Sequence, residues 1–323
     1  MLTKTLLHLV CLALAFSQNA DSEMAIQAGE LHSIVRNASR LPFEAKDIEV
    51  VPPQPGWEMG MVSWVAAGSE GLTYLLQRGP NADPVVVLDR DGRVVRSWGK
   101  GLYRTPHSIR VDPDGNVWTA DAKSSMVIKY NSHGEKLMEI SVGGQPEDCR
   151  GLFCGTSDVA FGPDGRVFVS DGYRNARILE YSANGKRVRE WGSAGDGPGQ
   201  FRLPHSIAVD DDVIYVADRE NGRIQRFDLD GNFLGMWTQY GKTFGLHLEP
   251  GVVWLATQER NEGNASTVSG WLMKIDRRTG ELLGYVNATG VHGMTVHADG
   301  ELMMAPGPGN RPQRFTRKSD QKR

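Results

Sequence analysis

The chain has 323 residues, 40% of them apolar, with 38 glycines and 16 prolines. That is material for one large all-β domain or two ordinary ones, joined by many turns. A formal net charge of −3 argues against a general nucleic-acid binder, which needs a basic stripe to neutralise phosphates.

Residues 1–17 read as a secretory signal. Lys4 supplies the basic start, Leu6 to Phe16 the apolar stretch, and Ala15-Phe16-Ser17 a small-x-small cleavage site. The stretch is short for a membrane span, and no later segment is apolar enough for one. A secreted or periplasmic protein is expected. Cys11 follows the bulky Val10, where a lipoprotein signal prefers a small residue, so lipid anchoring is the weaker reading. Residues 18–56 form an amino-terminal lead. It holds one stretch of helical period (EMAIQAGELHSIVRNASR) and one extended stretch (AKDIEVVP) that is available to complete a later sheet.

From residue 57 to 316 the chain repeats itself. WVAAGSEGLTYLLQRGPNADPVVVLDRDGRVVRSWG is the first and weakest copy. TPHSIRVDPDGNVWTADAKSSMVIKY, TSDVAFGPDGRVFVSDGYRNARILEY and LPHSIAVDDDVIYVADRENGRIQRF follow, then FGLHLEPGVVWLATQERN and VHGMTVHADGELMMAPG. Aligned on the first strand, Trp64, His107, Ser157, His205, Phe244 and His292 are equivalent, at intervals of 43, 50, 48, 39 and 48 residues. Such a period is that of a propeller blade. Within each copy, short runs rich in Val, Ile, Tyr and Phe alternate with turn signals such as Asp114-Gly115, Asp164-Gly165 and Asp230-Gly231. The expected fold is all-β, a six-bladed β-propeller. The last copy supplies three strands, so AKDIEVVP is the candidate for the fourth. Residues 317–323 form a charged tail. Cys149 and Cys154, separated by four residues, stand just ahead of the third copy, and an exported chain is expected to pair them. Asn37, Asn264 and Asn287 head glycosylation sequons, which matter only in a eukaryotic host.

In a propeller the innermost strands line a channel, and equivalent positions form a ring at one mouth. His107, His205 and His292 occupy that ring in alternate blades. Any one of them is more readily explained as a polar strand end, but three at trigonal spacing match the three-ligand pattern of a catalytic zinc with an open fourth position. The other histidines (His8, His32, His133, His247 and His297) read as structural or incidental. A second ring follows the second strands: Arg78, Tyr173 and Arg219. Singly these are loop residues with ordinary ion pairs. Beside a metal they suit an anionic substrate, with the arginines holding a carboxylate and a phenol, its pKa lowered by cations, acting as a base.

The stretches PHSI…TAD, SDGYRN and PHSIAV…YVADRENGRIQRF resemble peptidyl-α-hydroxyglycine α-amidating lyase (peptidylamidoglycolate lyase), an enzyme built from NHL-type repeats. The resemblance runs from about Trp64 to Pro306. It implies cleavage of a C-terminal α-hydroxyglycine to an amide and glyoxylate. It also implies zinc on His107, His205 and His292, with Tyr173 reactive and Arg78 and Arg219 in the active site. Two departures stand out. The family's aspartate after the third histidine, which helps bind a structural calcium, is Gly293 here, which puts Ca2+ in doubt. The family's disulfide partner for the Cys154 position is Arg174 here, leaving Cys149 as the replacement. A second family disulfide has Tyr215 and Arg226 at its positions.

The expected partner is a small-molecule or peptide substrate ending in a carboxylate, acted on by a monomer, with another protein supplying the hydroxylated glycine. Three other readings compete. One is an NHL-repeat propeller that only binds a ligand or protein, which has no need of the histidine ring. Another is a lactonase-like hydrolase, whose calcium prefers oxygen ligands. The third is a metal-dependent enzyme on another α-hydroxy or carboxylate substrate, since fold and metal do not set specificity.

Overall fold

The computed structural model describes residues 31–144, 149–210, 212–259, 269–307 and 311–318. The leader at 1–17 and the Asn264 sequon lie outside them. Among the described residues, six four-stranded antiparallel sheets follow one another around a central channel, with a two-stranded link between the third and fourth. This is a six-bladed β-propeller.

Blade four shows how the sequence writes each sheet. Its strands are Pro204–Val209, Val213–Asp218, Arg223–Asp228 and Phe233–Trp237. The third and fourth are joined by a tight turn in which the Asp228 carboxylate accepts the backbone N–H of Asp230 and of Asn232. In blades one and two, Oδ1 of Asp89 and of Asn131 likewise accepts two backbone N–H groups. A short side-chain acceptor three residues ahead of a glycine fixes the hairpin locally, before any blade packs on another.

Packing is layered blade on blade. The middle strands are apolar on both faces, as Val85–Leu88 is along its whole length. Each of six apolar clusters joins residues of two neighbouring blades: Val127 and Ile140 of blade two meet Val169 and Leu179 of blade three, for example. The fourth strands, at the rim, have one face open, so Arg187–Trp191 is mostly polar. Residues 31–37 form a helix whose buried Leu31 and Val35 join the cluster between blades four and five.

The ring closes with a strand from the amino-terminal side. Phe43–Asp47 pairs antiparallel with Gln313–Arg317, Phe43 opposite Arg317 and Asp47 opposite Gln313. Only the first three residues of AKDIEVVP lie in this strand. The next ones leave it: Ile48 N–H donates to Pro312 O at 2.8 Å, and Val51 N–H to Gly92 O of blade one at 2.8 Å. The register is set by Phe43, which must turn inward to join Trp254 and Phe315 in the cluster between blades five and six. Arg317 belongs to the sheet, so the tail starts after it.

Because closure depends on this cluster, Phe315→Ala, at a fully buried position, should cost about 3–5 kcal/mol in equilibrium denaturation. Val95→Thr, on an exposed rim position, should stay within about 0.5 kcal/mol. Equal losses at the two sites would contradict this account of closure.

Candidate active site

Ring positions in four of the six blades are β-bulges. In blades two, four and five the pairing of the innermost strand skips one residue: Pro106 pairs with Asp121 and Ser108 with Ala120, leaving His107 unpaired; His205 and Phe244 are skipped likewise. A bulged residue is re-aimed out of the ladder, here into the channel mouth. In blade one the skipped residue is Ser63. The ring therefore contains Ser63 where the sequence alignment put Trp64, one residue on, because a bulge adds a residue that repeat spacing does not reveal.

Two histidines from bulges, His107 and His205, meet His292, which stands just ahead of the first strand of blade six, Gly293–Val296. Their ring centroids are 4.9 to 5.0 Å apart, and one ligand atom from each lies within 4.8 Å of the others. Each imidazole is held from behind by the next blade. Nδ1–H of His107 donates to Ser157 O (2.6 Å), that of His205 to Phe244 O (2.7 Å) and that of His292 to Ser63 O (2.7 Å). A neutral imidazole that donates through Nδ1 presents its Nε2 lone pair, so three such lone pairs meet on the channel axis. Burial holds all three below the usual histidine range. Neighbouring His292 and Arg78 add to this at His107, and Arg219 at His205, while His292 is brought down to about 3. These residues form a group that can hold a metal ion.

The second ring is positioned by buried polar residues at the ends of the second strands. Gln77 donates to Gly79 O, Ala82 O and Asp83 O. Asp171 accepts from Asn175 and Arg177, and Asp218 from Arg202 N–H, Asn221 and Arg223. Arg78, Tyr173 and Arg219 leave directly from these clamps. Gly172 permits the approach of Tyr173: a Cβ there would lie 2.1 Å from Pro204 O of the next blade. The Tyr173 hydroxyl stands 2.9 Å from His107 Nε2 and 3.1 Å from His205 Nε2. Arg78 donates through Nε to Pro106 O at 2.8 Å, while its Nη2 is buried with no hydrogen-bond partner. Arg219 is partly engaged, donating to Glu220 at 2.8 Å and lying 4.8 Å over the Phe244 ring.

The phenol corrects one expectation. Arg219 and Arg78 do pull its pKa down, but desolvation of the phenol outweighs them and holds it above the ordinary tyrosine value.

Beneath the histidines the channel is closed. Trp64 lies fully buried with its ring 5.4 to 6.2 Å from the three imidazoles. Arg110 stacks under it at 4.9 Å and pairs with buried Asp158, whose carboxylate also takes Ser206. Calcium does not fit here. A Cβ on Gly293 would stand 2.4 Å from the Trp64 indole. The indole thus fills the space into which a residue-293 side chain would project, and the nearby carboxylate is already neutralised by a guanidinium. The pairing of Trp64 with Gly293 was the unread sequence signal for this floor.

Cys149 and Cys154 form a disulfide. The short loop it closes brings up Phe153, unremarked in the sequence, whose ring lies 4.8 Å from Tyr173 and 5.2 Å from the Arg78 guanidinium carbon. His297 bonds Thr73 at 3.1 Å. His247 lines a cavity of about 410 Å3 at the opposite channel mouth.

Fold and site together define a six-bladed β-propeller with a buried trihistidine centre. A family model described as a six-bladed β-propeller matches residues 150–239. The peptidylglycine α-amidating monooxygenase of Rattus norvegicus is 35% identical over 215 residues, 62% of this chain but 22% of that protein. The chain thus spans about a fifth of that relative's length. The probable peptidyl-α-hydroxyglycine α-amidating lyase of Caenorhabditis elegans is 28% identical over 246 residues, 70% of this chain and 67% of that one. A solved streptogramin B lyase superposes with a TM-score of 0.60 over 85% of this chain and 98% of its own, at 16% identity, and so shares the fold. The chain is thus similar in sequence to proteins named peptidyl-α-hydroxyglycine α-amidating lyase.

Two outcomes follow from this geometry. The melting temperature should be the same in calcium and in a calcium chelator, and Gly293→Asp should lower it without rescue by calcium. A calcium-dependent rise in the wild type would contradict the Trp64 floor. The second concerns His247, held down to about 3 by burial, Arg110 and His297. Its folded pKa lies below the unfolded value, so its contribution is complete above about pH 6.5 and fades as pH falls toward the folded pKa. Denaturant midpoints of the metal-loaded protein should drop between pH 7.5 and 5.5. His247→Leu should flatten that slope, and an unchanged slope would remove His247 as its source.

Proposed function

We propose that the chain is a metal-dependent lyase that splits a C-terminal α-hydroxyglycine into an amide and glyoxylate. The observation that carries this reading is the Tyr173 hydroxyl at 2.9 and 3.1 Å from two nitrogens of a buried trihistidine group, flanked by Arg78 and Arg219. A ring that only bound protein would have no use for three buried imidazoles with converging lone pairs. The homology to enzymes named for this reaction supports the same reading.

His107, His205 and His292 are the residues that would hold the metal, and three nitrogen donors with room for a further ligand favour zinc. When bound, such an ion supplies Lewis-acid polarisation of a substrate oxygen. Arg78, with its unpartnered buried Nη2, binds the carboxylate and Arg219 supports it, which fixes the carbinol carbon beside the phenol. The reaction then requires four changes. The carbinol O–H breaks, its C–O becomes the aldehyde C=O of glyoxylate, the C–N bond breaks, and the nitrogen gains a proton. Because burial keeps the phenol protonated, Tyr173 serves as a relay. Its oxygen accepts the carbinol proton as its own proton passes to the departing amide nitrogen, so the phenol is regenerated with no net proton taken up. The Cys149–Cys154 bond fits an oxidising compartment, secreted or periplasmic.

Glyoxylate release from N-benzoyl-α-hydroxyglycine tests the assignment. Zinc-loaded wild type should release it, chelation should stop release and added zinc restore it. Tyr173→Phe should lower kcat by about 100-fold or more, and Arg78→Gln should raise KM as well. No release from folded, zinc-replete wild type would end the lyase reading.

A further inference from the structure

The lyase reading accounts for the histidine mouth and the carboxylate, but not for what lies outward from Arg78. There the wall of the site is built by the Cys149–Cys154 loop. The loop is anchored from below: Cys154 N–H and Gly155 N–H both donate to Ala122 O, and Lys123 Nζ donates to Cys149 O at 2.9 Å. It is also tied to the reacting phenol's segment, since Tyr173 N–H donates to Gly155 O at 2.9 Å. Held in this way, the loop turns Phe153 inward against Tyr173 and Arg78 and leaves Leu152, beside it, 66% exposed.

That exposed leucine is not facing open solvent alone. With Pro84, Tyr103 and Pro106 it lines a cavity of about 340 Å3 that Arg78 lines as well. Beside Gln77, Arg78, Arg104 and Thr105, the lining offers Pro84, Tyr103, Pro106 and Leu152, a strip of apolar surface on which an apolar group can rest. Arg78 lines both this cavity and the site holding Tyr173, so a substrate whose carboxylate engages Arg78 must send its acyl part along one of the walls beside that arginine.

Resting on the lyase reading, we infer that the Cys149–Cys154 loop builds a specificity subsite, in which Leu152 and Phe153 receive an apolar acyl group or side chain preceding the α-hydroxyglycine. The loop is a selectivity element, and Leu152 and Phe153 are positioning residues for the substrate's amide half. The disulfide's part is to hold two apolar side chains at the rim of a polar, cationic site.

The test compares N-benzoyl- with N-acetyl-α-hydroxyglycine, and in parallel the calorimetric binding of N-benzoylglycine with that of N-acetylglycine, which needs no turnover. Wild type should prefer the benzoyl compounds by about ten-fold or more in kcat/KM and in affinity, as apolar pockets do. The kinetic preference should fall in KM rather than kcat. Leu152→Ser should bring both ratios toward one, a change that mere loosening of the fold would not produce. Turnover with equal ratios in wild type would overturn the subsite while leaving the lyase intact. A benzoyl preference in binding that Leu152→Ser abolishes, without turnover of either hydroxyglycine, would overturn the lyase and keep the subsite. Neither turnover nor binding would overturn both.

Discussion

Each of the three histidines is fastened by Nδ1–H to a main-chain carbonyl of the following blade, and one of these bonds, His292 to Ser63, spans the seam where the ring closes. The centre therefore exists only when the ring is complete. Phe43–Asp47 must pair with the last blade for blade six to sit beside blade one, and only then does the third imidazole meet the other two. The same bonds choose the tautomer. A carbonyl behind Nδ1 keeps the proton there, which leaves Nε2 as an acceptor facing the axis. Stability of the fold and chemistry of the site are thus joined at three hydrogen bonds.

A site with converging lone pairs and two nearby guanidiniums has to be kept dry from one side and open from the other. The dry side is the Trp64 floor, with Arg110 and Asp158 beneath it as a neutralised pair. A buried pair of this kind contributes little net stability, because desolvation offsets its attraction. Its use here is to place an aromatic plate at a set height under the imidazoles. Gly293 is the complement of that plate, since any side chain would occupy the indole's space. The open side carries Tyr173, Arg78 and Arg219, each leaving a strand end clamped by a buried amide or carboxylate. Rigid clamps at the strand ends let short loops hold these three side chains in place at small cost in entropy.

The six blades are similar, but the site is not symmetric. Among the described residues, only alternate blades give histidine to the ring, only one gives tyrosine, and only the third has a disulfide loop before its first strand. That loop raises Phe153 over Tyr173 and Arg78 on one side of the mouth. The propeller supplies six equivalent stations, and the chain has written a different side chain at each.

The sequence by itself determined the repeat, and with it the blade count, the class of fold, the alternate placement of His107, His205 and His292, and the nearness of Arg78, Tyr173 and Arg219. Each of these is set by local strand and turn chemistry repeated at a steady interval, which is legible in one dimension. The cysteine pair was legible for the same reason, being a few residues apart. Only the tertiary structure decided that Ser63 rather than Trp64 stands in the ring, because a bulge is defined by which partner residue is skipped. It alone decided that Trp64 fills the space beside Gly293, that burial outweighs two arginines at Tyr173, and that Phe153 faces the site. Those four outcomes depend on distances between blades, and on how much water is excluded between them, which no spacing along the chain records.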